Sequence, residues 1–182
     1  MKPPFIIIRR HPYEGPYHLN LVISASNGVM CGTLEYYCNA ADVGEMGGKL
    51  AAFPEKTGDT YLYELGSPRR EDRFAFHFAF RVLTLDSAGH CALQFTMNNN
   101  RSSPDDLSCS FSIRAEPAAI NRLGRLLTAF GKLKHSELRW SDTDGELIEG
   151  QKTIAEQDGP ANGSQPIRSE TNRTSSAAGS RR

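Results

Sequence analysis

The feature that most constrains this chain is an alternation of large apolar and polar or small residues in its middle third. Every second residue from Phe74 to Val82 is large and apolar, and residues 91–97 and 107–113 repeat the pattern. A period of two is typical of β-strands that bury one face. The three segments therefore predict an antiparallel meander that is covered on its apolar face and open to solvent on the other.

A cover for the apolar face is predicted by the segment that begins at Pro117. Ile120, Leu123, Leu127 and Phe130 recur at helical spacing. Proline suits the first helical turn because its missing N–H would have no partner there. Burial of each large side chain contributes about 1.5–3 kcal/mol, so we expect this helix to be a main stabiliser of the fold.

The N-terminal part of the chain predicts a further strand and a hairpin. Residues 5–8 form a short β-branched run, and alternating residues follow at 19–25. Asn27-Gly28 favours a two-residue turn. That turn would place Leu21 opposite Leu34, with apolar residues facing each other across the two strands.

A first helix is predicted over residues 39–53, with Asn39 as its N-cap and Pro54 after its end. Its interior contains Gly44, Gly47 and Gly48, and each glycine costs about 1 kcal/mol relative to alanine. Packing must therefore hold this helix, and we expect its small residues to let it lie close on a sheet.

The composition changes after Trp140. From Asp142 onward, 41 residues include four large aliphatic residues and no aromatic one. Such a segment cannot bury enough surface to offset its ordering entropy, and no internal repeat is apparent. We predict one α+β domain over residues 1–140, with a single antiparallel sheet and two helices on one face, followed by a disordered polar tail over residues 141–182.

Composition also excludes several classes of function. No stretch approaches the roughly 18 apolar residues of a membrane span. The chain has 21 basic and 21 acidic residues, which argues against nucleic-acid binding. The four cysteines show no Cys-x-x-Cys spacing, and the apolar run before Arg9 is too short for a secretion signal. We expect a cytoplasmic protein without a metal site or other cofactor.

No catalytic motif is present. The sequence has no nucleophile elbow, phosphate-binding loop or dinucleotide fingerprint. Asp86 and His90 flank a predicted turn and could form an acid–base pair, but turn formation already explains the aspartate. We therefore expect a non-enzymatic protein, with an enzyme of unknown class as the alternative.

The polar face of the predicted sheet is the strongest candidate for a functional surface. It is either a solvated face or a docking surface for a protein partner, with arginines and hydroxyls at its rim. A regulatory or scaffold role that uses the tail is a third possibility. The candidate partner-binding residues are His77, Arg81, Gln94, Ser110, Ser112 and Arg114.

The order of predicted elements resembles a group of small bacterial families. In these families a strand, a Gly-His hairpin turn, two alternating strands and a leucine-rich helix follow one another, as at Gly89-His90 and its surroundings here. The similarity spans residues 19–133, and the helix at 39–53 has a counterpart. The group includes immunity proteins paired with wall-associated polymorphic toxins and a related uncharacterised family. The resemblance implies an α+β fold and binding of a cognate toxin.

Overall fold

The computed structural model describes residues 2–11 and 17–150 of the chain. Over these residues it contains two antiparallel sheets, two α-helices and a short 3-10 helix at Arg70–Asp72. The strands are β1 (Phe5–His11), β2 (His18–Ser26), β3 (Cys31–Asn39), β4 (Thr60–Gly66), β5 (His77–Thr84), β6 (Cys91–Asn98), β7 (Ser108–Ala115), β8 (His135–Ser141) and β9 (Gly145–Glu149), and the helices are α1 (Ala40–Ala51) and α2 (Pro117–Phe130).

The predicted single sheet is wrong, because the strands form two. Sheet A has the order β3-β2-β1-β8-β9, and sheet B has the order β4-β5-β6-β7. The inward side chains of both sheets and of both helices enclose one apolar core. Alternation in the sequence identifies the inward side of each strand, but it does not say whether those inward sides belong to one sheet or to two.

The predicted apolar face is confirmed, but its helical cover is confirmed only in part. Strand β3 of sheet A also packs on this face, with the Tyr36 ring stacked on that of Phe78 at a centroid distance of 4.7 Å, and the strands nearest to α2 are β8 and β9. Phe78, Phe95 and Phe111 are buried on the same side of sheet B, and the rings of Phe95 and Phe111 have centroids 5.7 Å apart. Leu123 and Leu127 of α2 are also buried in this core. The period of two therefore places these three aromatic side chains correctly.

Strand β5 is shorter than the alternating run predicts. It begins at His77, and Phe74 lies outside it with about half of its surface exposed (53%). Arg73 has a φ of 56°, which turns the chain just before these residues. Phe76 still reaches the core edge, with its ring 6.3 Å from that of Tyr36.

The two hairpin registers differ in how well the sequence predicts them. The pairing of β5 with β6 is confirmed, with Phe80 opposite Phe95. In the β2–β3 hairpin, Leu21 lies opposite Tyr36 and not Leu34. The side-chain oxygen of Asn27 accepts hydrogen bonds from the backbone N–H groups of Val29 (3.0 Å) and Met30 (2.8 Å). This builds a four-residue turn, which shifts the register by two residues and leaves every side chain on its predicted face.

The fold is an internal repeat that the sequence did not reveal. Each unit has three antiparallel strands, a helix and a further strand: β1–β3, α1 and β4, then β5–β7, α2 and β8. The helices match position for position, since Val43 and Ile120, like Gly47 and Gly124, are 77 residues apart. The last strand of each unit joins the sheet of the other, with β4 beside β5 and β8 beside β1. Strand β9 is an addition to the second unit.

The two helices cross where equivalent glycines meet. A Cβ atom on Gly47 would lie 2.8 Å from the carbonyl oxygen of Gly124, and one on Gly124 would lie 2.7 Å from that of Gly47. The glycine-rich stretch of α1 therefore permits close approach to α2 and not, as predicted, to a sheet. Gly44 and Gly48 face open space.

Polar contacts fix α2 against its neighbours. The Asn121 amide donates hydrogen bonds to the carbonyls of Leu50 (3.0 Å) and Phe53 (2.5 Å), and thereby satisfies acceptors at the end of α1. The indole N–H of Trp140 donates to the Ala119 carbonyl at 2.9 Å within the core. These bonds tie the start of α2 both to α1 and to sheet A.

The folded chain continues past the predicted boundary at residue 140. Residues 141–150, predicted as tail, contain the end of β8 and the whole of β9, and Leu147 packs against the core. A short strand needs few aliphatic residues when its neighbour supplies the backbone partners. The predicted disordered segment at 151–182 and the predicted loop around 12–16 lie outside the described residues. Within the described part, no helix is both long and apolar enough to cross a membrane.

Candidate functional site

Strand alternation brings the predicted site residues together on the outer face of sheet B. Arg81, Gln94 and Ser112 form one row across β5, β6 and β7. In the next row Thr96 lies opposite Ser110, and their hydroxyl oxygens are 3.3 Å apart. Arg114 stands at one end of this face and His77 at the other.

His77 does not offer its ring to a partner as predicted, because it is buried (6% exposed). Its Nε2 atom lies 2.8 Å from Oε1 of Glu64 on the neighbouring strand β4. Its Nδ1 atom is buried and has no hydrogen-bond partner among the residues of known placement, 2–11 and 17–150. The histidine therefore forms part of the floor of the face, and Glu64 is the acidic group that meets solvent there.

A shallow depression of about 290 Å³ lies at the centre of this face. Ala79 pairs with Glu64 on one side and Thr96 on the other. The depression lies here because the small side chain of Ala79 does not fill the space between these larger neighbours. The lining combines two apolar side chains, one acidic side chain, one guanidinium group and one imidazole ring with amide and hydroxyl groups. The lining residues are Leu62, Glu64, His77, Ala79, Arg81, Gln94 and Thr96.

The charges on the face are unevenly matched. Glu64 is the one carboxylate that the described strands β4–β7 direct to this side. Neither Arg81 nor Arg114 forms an ion pair with any residue that the structure describes. Two exposed guanidinium groups among serine, threonine and glutamine side chains suit an anionic group on a binding partner.

His77 and His90 each lie beside a carboxylate, and the two contacts differ. A general base must direct a ring nitrogen at the proton it removes, but Glu64 occupies Nε2 of His77 and Nδ1 is enclosed. Asp86 instead stabilises a turn, since its Oδ1 accepts hydrogen bonds from the N–H groups of Ala88 (3.0 Å) and His90 (3.2 Å). Its Oδ2 lies 2.7 Å from Nδ1 of His90.

The contact between Asp86 and His90 should shift the pKa of His90, which can be measured. The hydrogen bond to Asp86 and then its charge raise the pKa of His90, and the same contact lowers the pKa of Asp86. The contact with protonated His90 stabilises the fold in full at pH values below the histidine pKa of the unfolded chain, about 6.5. This stabilisation is lost as the pH rises through the pKa of His90 in the folded protein. We expect Asp86→Asn to lower the His90 pKa while the amide oxygen keeps the turn. An NMR titration of the His90 ring checks this, and equal midpoints in both proteins would contradict it.

Three of the four cysteines pack in or against the core, and the fourth, Cys31, is exposed at the start of β3 in sheet A. Burial raises the pKa of Cys38 to about 12, with a further contribution from the charge of Asp42. Burial also raises the pKa of Cys91 and Cys109. Thiols that hold their protons are poor nucleophiles and poor metal ligands. The described residues contain no cluster of three or more histidine, cysteine or acidic side chains that could hold a metal ion.

Comparisons with known proteins add little to this geometry. No family model matches the chain, and no curated protein matches it. Among solved structures, the chain is similar to the plant transcriptional regulator PBF-2, with 10% identity, coverage of 72% of this chain and 76% of that chain, and a TM-score of 0.40. A similarity at this level carries no argument about function. The resemblance to immunity proteins stays a prediction.

Proposed function

We propose that this chain is a non-enzymatic binding protein that docks a protein partner on the outer face of sheet B. The observation that supports the proposal is the row of Arg81, Gln94 and Ser112, with Arg81 and Arg114 lacking acidic partners within the described residues. Arginine is enriched at protein interfaces and binds carboxylates through two parallel hydrogen bonds.

The charges indicate the kind of partner. A surface with exposed carboxylates can pair with both arginines while its polar side chains bond to the serine and threonine hydroxyls. The depression beside Arg81 can receive one protruding side chain. The resemblance described above points to a cognate toxin, which the protein would neutralise by covering part of its surface.

The double substitution Arg81→Glu and Arg114→Glu tests this proposal. Both side chains are exposed and make no ion pair with a residue that the structure describes, so the fold should persist while the charge of the face reverses. We expect at least about a hundredfold loss of partner affinity, since opposed like charges replace two charge-assisted pairs. The assay co-expresses the chain with the products of genes flanking its own and measures both growth and co-purification.

Arg125→Glu provides the matched control, because Arg125 is exposed on α2 and away from sheet B. It changes the net charge in the same direction and should leave partner binding intact. The proposal fails if the double variant protects cells and co-purifies as well as the unmodified chain. It also fails if every flanking gene product leaves the chain unbound.

A further inference from the structure

Among the strands that the structure describes, β4 has no neighbour on its outer side in sheet B. The N–H of Thr84 donates to the carbonyl of Asp59 at 3.1 Å. This fixes the odd-numbered residues of β4 as those that bond to β5. The N–H and C=O groups of Leu62 and Glu64 therefore point away from the sheet, and no described residue bonds to them.

Comparison of the two units of the internal repeat shows that a further strand can pair with the outer edge of a strand equivalent to β4. Strand β8 is the counterpart of β4, since each follows the helix of its unit and joins the sheet of the other unit. The outer edge of β8 is paired with β9, whereas β4 has no such neighbour in the described chain. Sheet B is therefore one strand short of sheet A at the equivalent place.

The segment that follows β4 does not fill this place. Gly66, with a φ of 74°, turns the chain out of the strand. The amide of Asn100 then donates hydrogen bonds to the carbonyls of Ser67 (2.8 Å) and Phe74 (2.9 Å). Because Asn100 follows β6, these bonds hold the connection at the end of the sheet and leave the β4 edge open.

We propose that β4 pairs with β4 of a second copy of this chain in antiparallel orientation. With the two-fold axis at Leu62, the two exposed Leu62 side chains face each other and Glu64 faces Thr60. This register opposes no like charges and covers two apolar side chains. Moving the register by two residues would place Leu62 against Glu64, so that the two leucine side chains would no longer cover each other.

The other edge strands fit a second copy less well. Among the described edge strands, β4 carries the one exposed aliphatic side chain, with Leu62 48% exposed. Outward positions of β7 are serines and Arg114, and Asn27 already donates to the Ser112 carbonyl at 3.3 Å. Charged side chains on an edge strand oppose pairing when they face each other, and the one charged side chain of β4, Glu64, faces Thr60 in the proposed register.

Sedimentation of the full chain over a concentration series tests this proposal. We expect a reversible dimer, and we expect Leu62→Lys to raise its dissociation constant at least about tenfold because two ammonium groups would lie opposite each other. Leu85→Lys is the matched control, since Leu85 is similarly exposed (42%) in the β5–β6 turn. Its dimer should be unchanged.

Hydrogen exchange followed by NMR locates the interface independently. The amides of Leu62 and Glu64 should exchange more slowly as the protein concentration rises, and this protection should disappear in Leu62→Lys. A monomer at every concentration would overturn the proposal, as would a dimer that Leu62→Lys leaves intact. This proposal does not rest on the proposed function, since the dimer is measured without a partner.

Discussion

Replacing Gly124 by alanine is expected to destabilise the protein by about 2–3 kcal/mol, although alanine is the better helix former. A Cβ atom at this position would lie 2.6 Å from the backbone carbon of Leu50 and 2.7 Å from the carbonyl oxygen of Gly47. Backbone atoms cannot rotate away as a side chain can, so the two helices must move apart. Urea unfolding measures the loss, with fluorescence of the single, buried Trp140 as the probe.

Gly48→Ala supplies the control on the helix that Gly124 contacts. A Cβ atom on Gly48 meets nothing within 4 Å, so only the helix propensity changes. We expect a gain of about 0.5–1 kcal/mol. If Gly124→Ala were as stable as the unmodified protein, the close helix crossing would be wrong.

Leu123→Asp is expected to abolish folding. Leu123 is 1% exposed and packs at the centre of the core between the sheets. The substitution removes about 2 kcal/mol or more of apolar burial and places a carboxylate where no described group can pair with it. The sum approaches the whole stability of an ordinary domain, about 5–15 kcal/mol. Loss of the cooperative thermal transition in near-ultraviolet circular dichroism would show this.

Ala118→Asp introduces the same side chain on the exposed side of the same helix. A carboxylate in the first turn favours the helix N-terminus, so the melting temperature should stay within a few degrees of the original, since about 1 kcal/mol corresponds to several degrees. A soluble Leu123→Asp protein with an unchanged melting temperature would contradict the helix-on-sheet core.

Local patterns in this sequence predict which way side chains point but not which strands become neighbours. Phe78, Phe95 and Phe111 are correctly placed because alternation is a property of each strand alone. The pairing of Ile6 with Trp140 joins residues from opposite ends of the described chain, and no local signal marks it. The division into two sheets depends on such distant pairs, which is why a single sheet was predicted.

Turn chemistry explains the two hairpin results. Asp86 holds a short turn through backbone groups close to it, so the β5–β6 register follows from the positions of the turn residues. Asn27 also begins a four-residue turn, since its side-chain oxygen accepts hydrogen bonds from residues two and three positions ahead. The central residues of that turn are Gly28 and Val29, and not the predicted Asn27-Gly28 pair. An Asn-Gly pair alone does not distinguish these two geometries.

The sequence predicts which residues of β5, β6 and β7 share the outer face of sheet B, but it does not predict the contribution of β4 to that face. Arg81, Gln94 and Ser112 share a face because they share strand parity. Glu64 was missed, although the alternation of Thr60, Leu62 and Glu64 is readable in the sequence. Its importance appears only when β4 is placed beside β5, because that pairing brings its carboxylate to the ring of His77.

The exchange of closing strands between the two units has a consequence for biosynthesis. Strand β8, the neighbour of β1 in sheet A, is synthesised more than a hundred residues after β1. Until β8 has been made, one edge of β1 lacks its neighbouring strand, and the first unit cannot complete its sheet because its own last strand, β4, belongs to sheet B. Most of the described chain must therefore be synthesised before sheet A can reach its full width, so the closing of sheet A is a long-range docking event and not a local one.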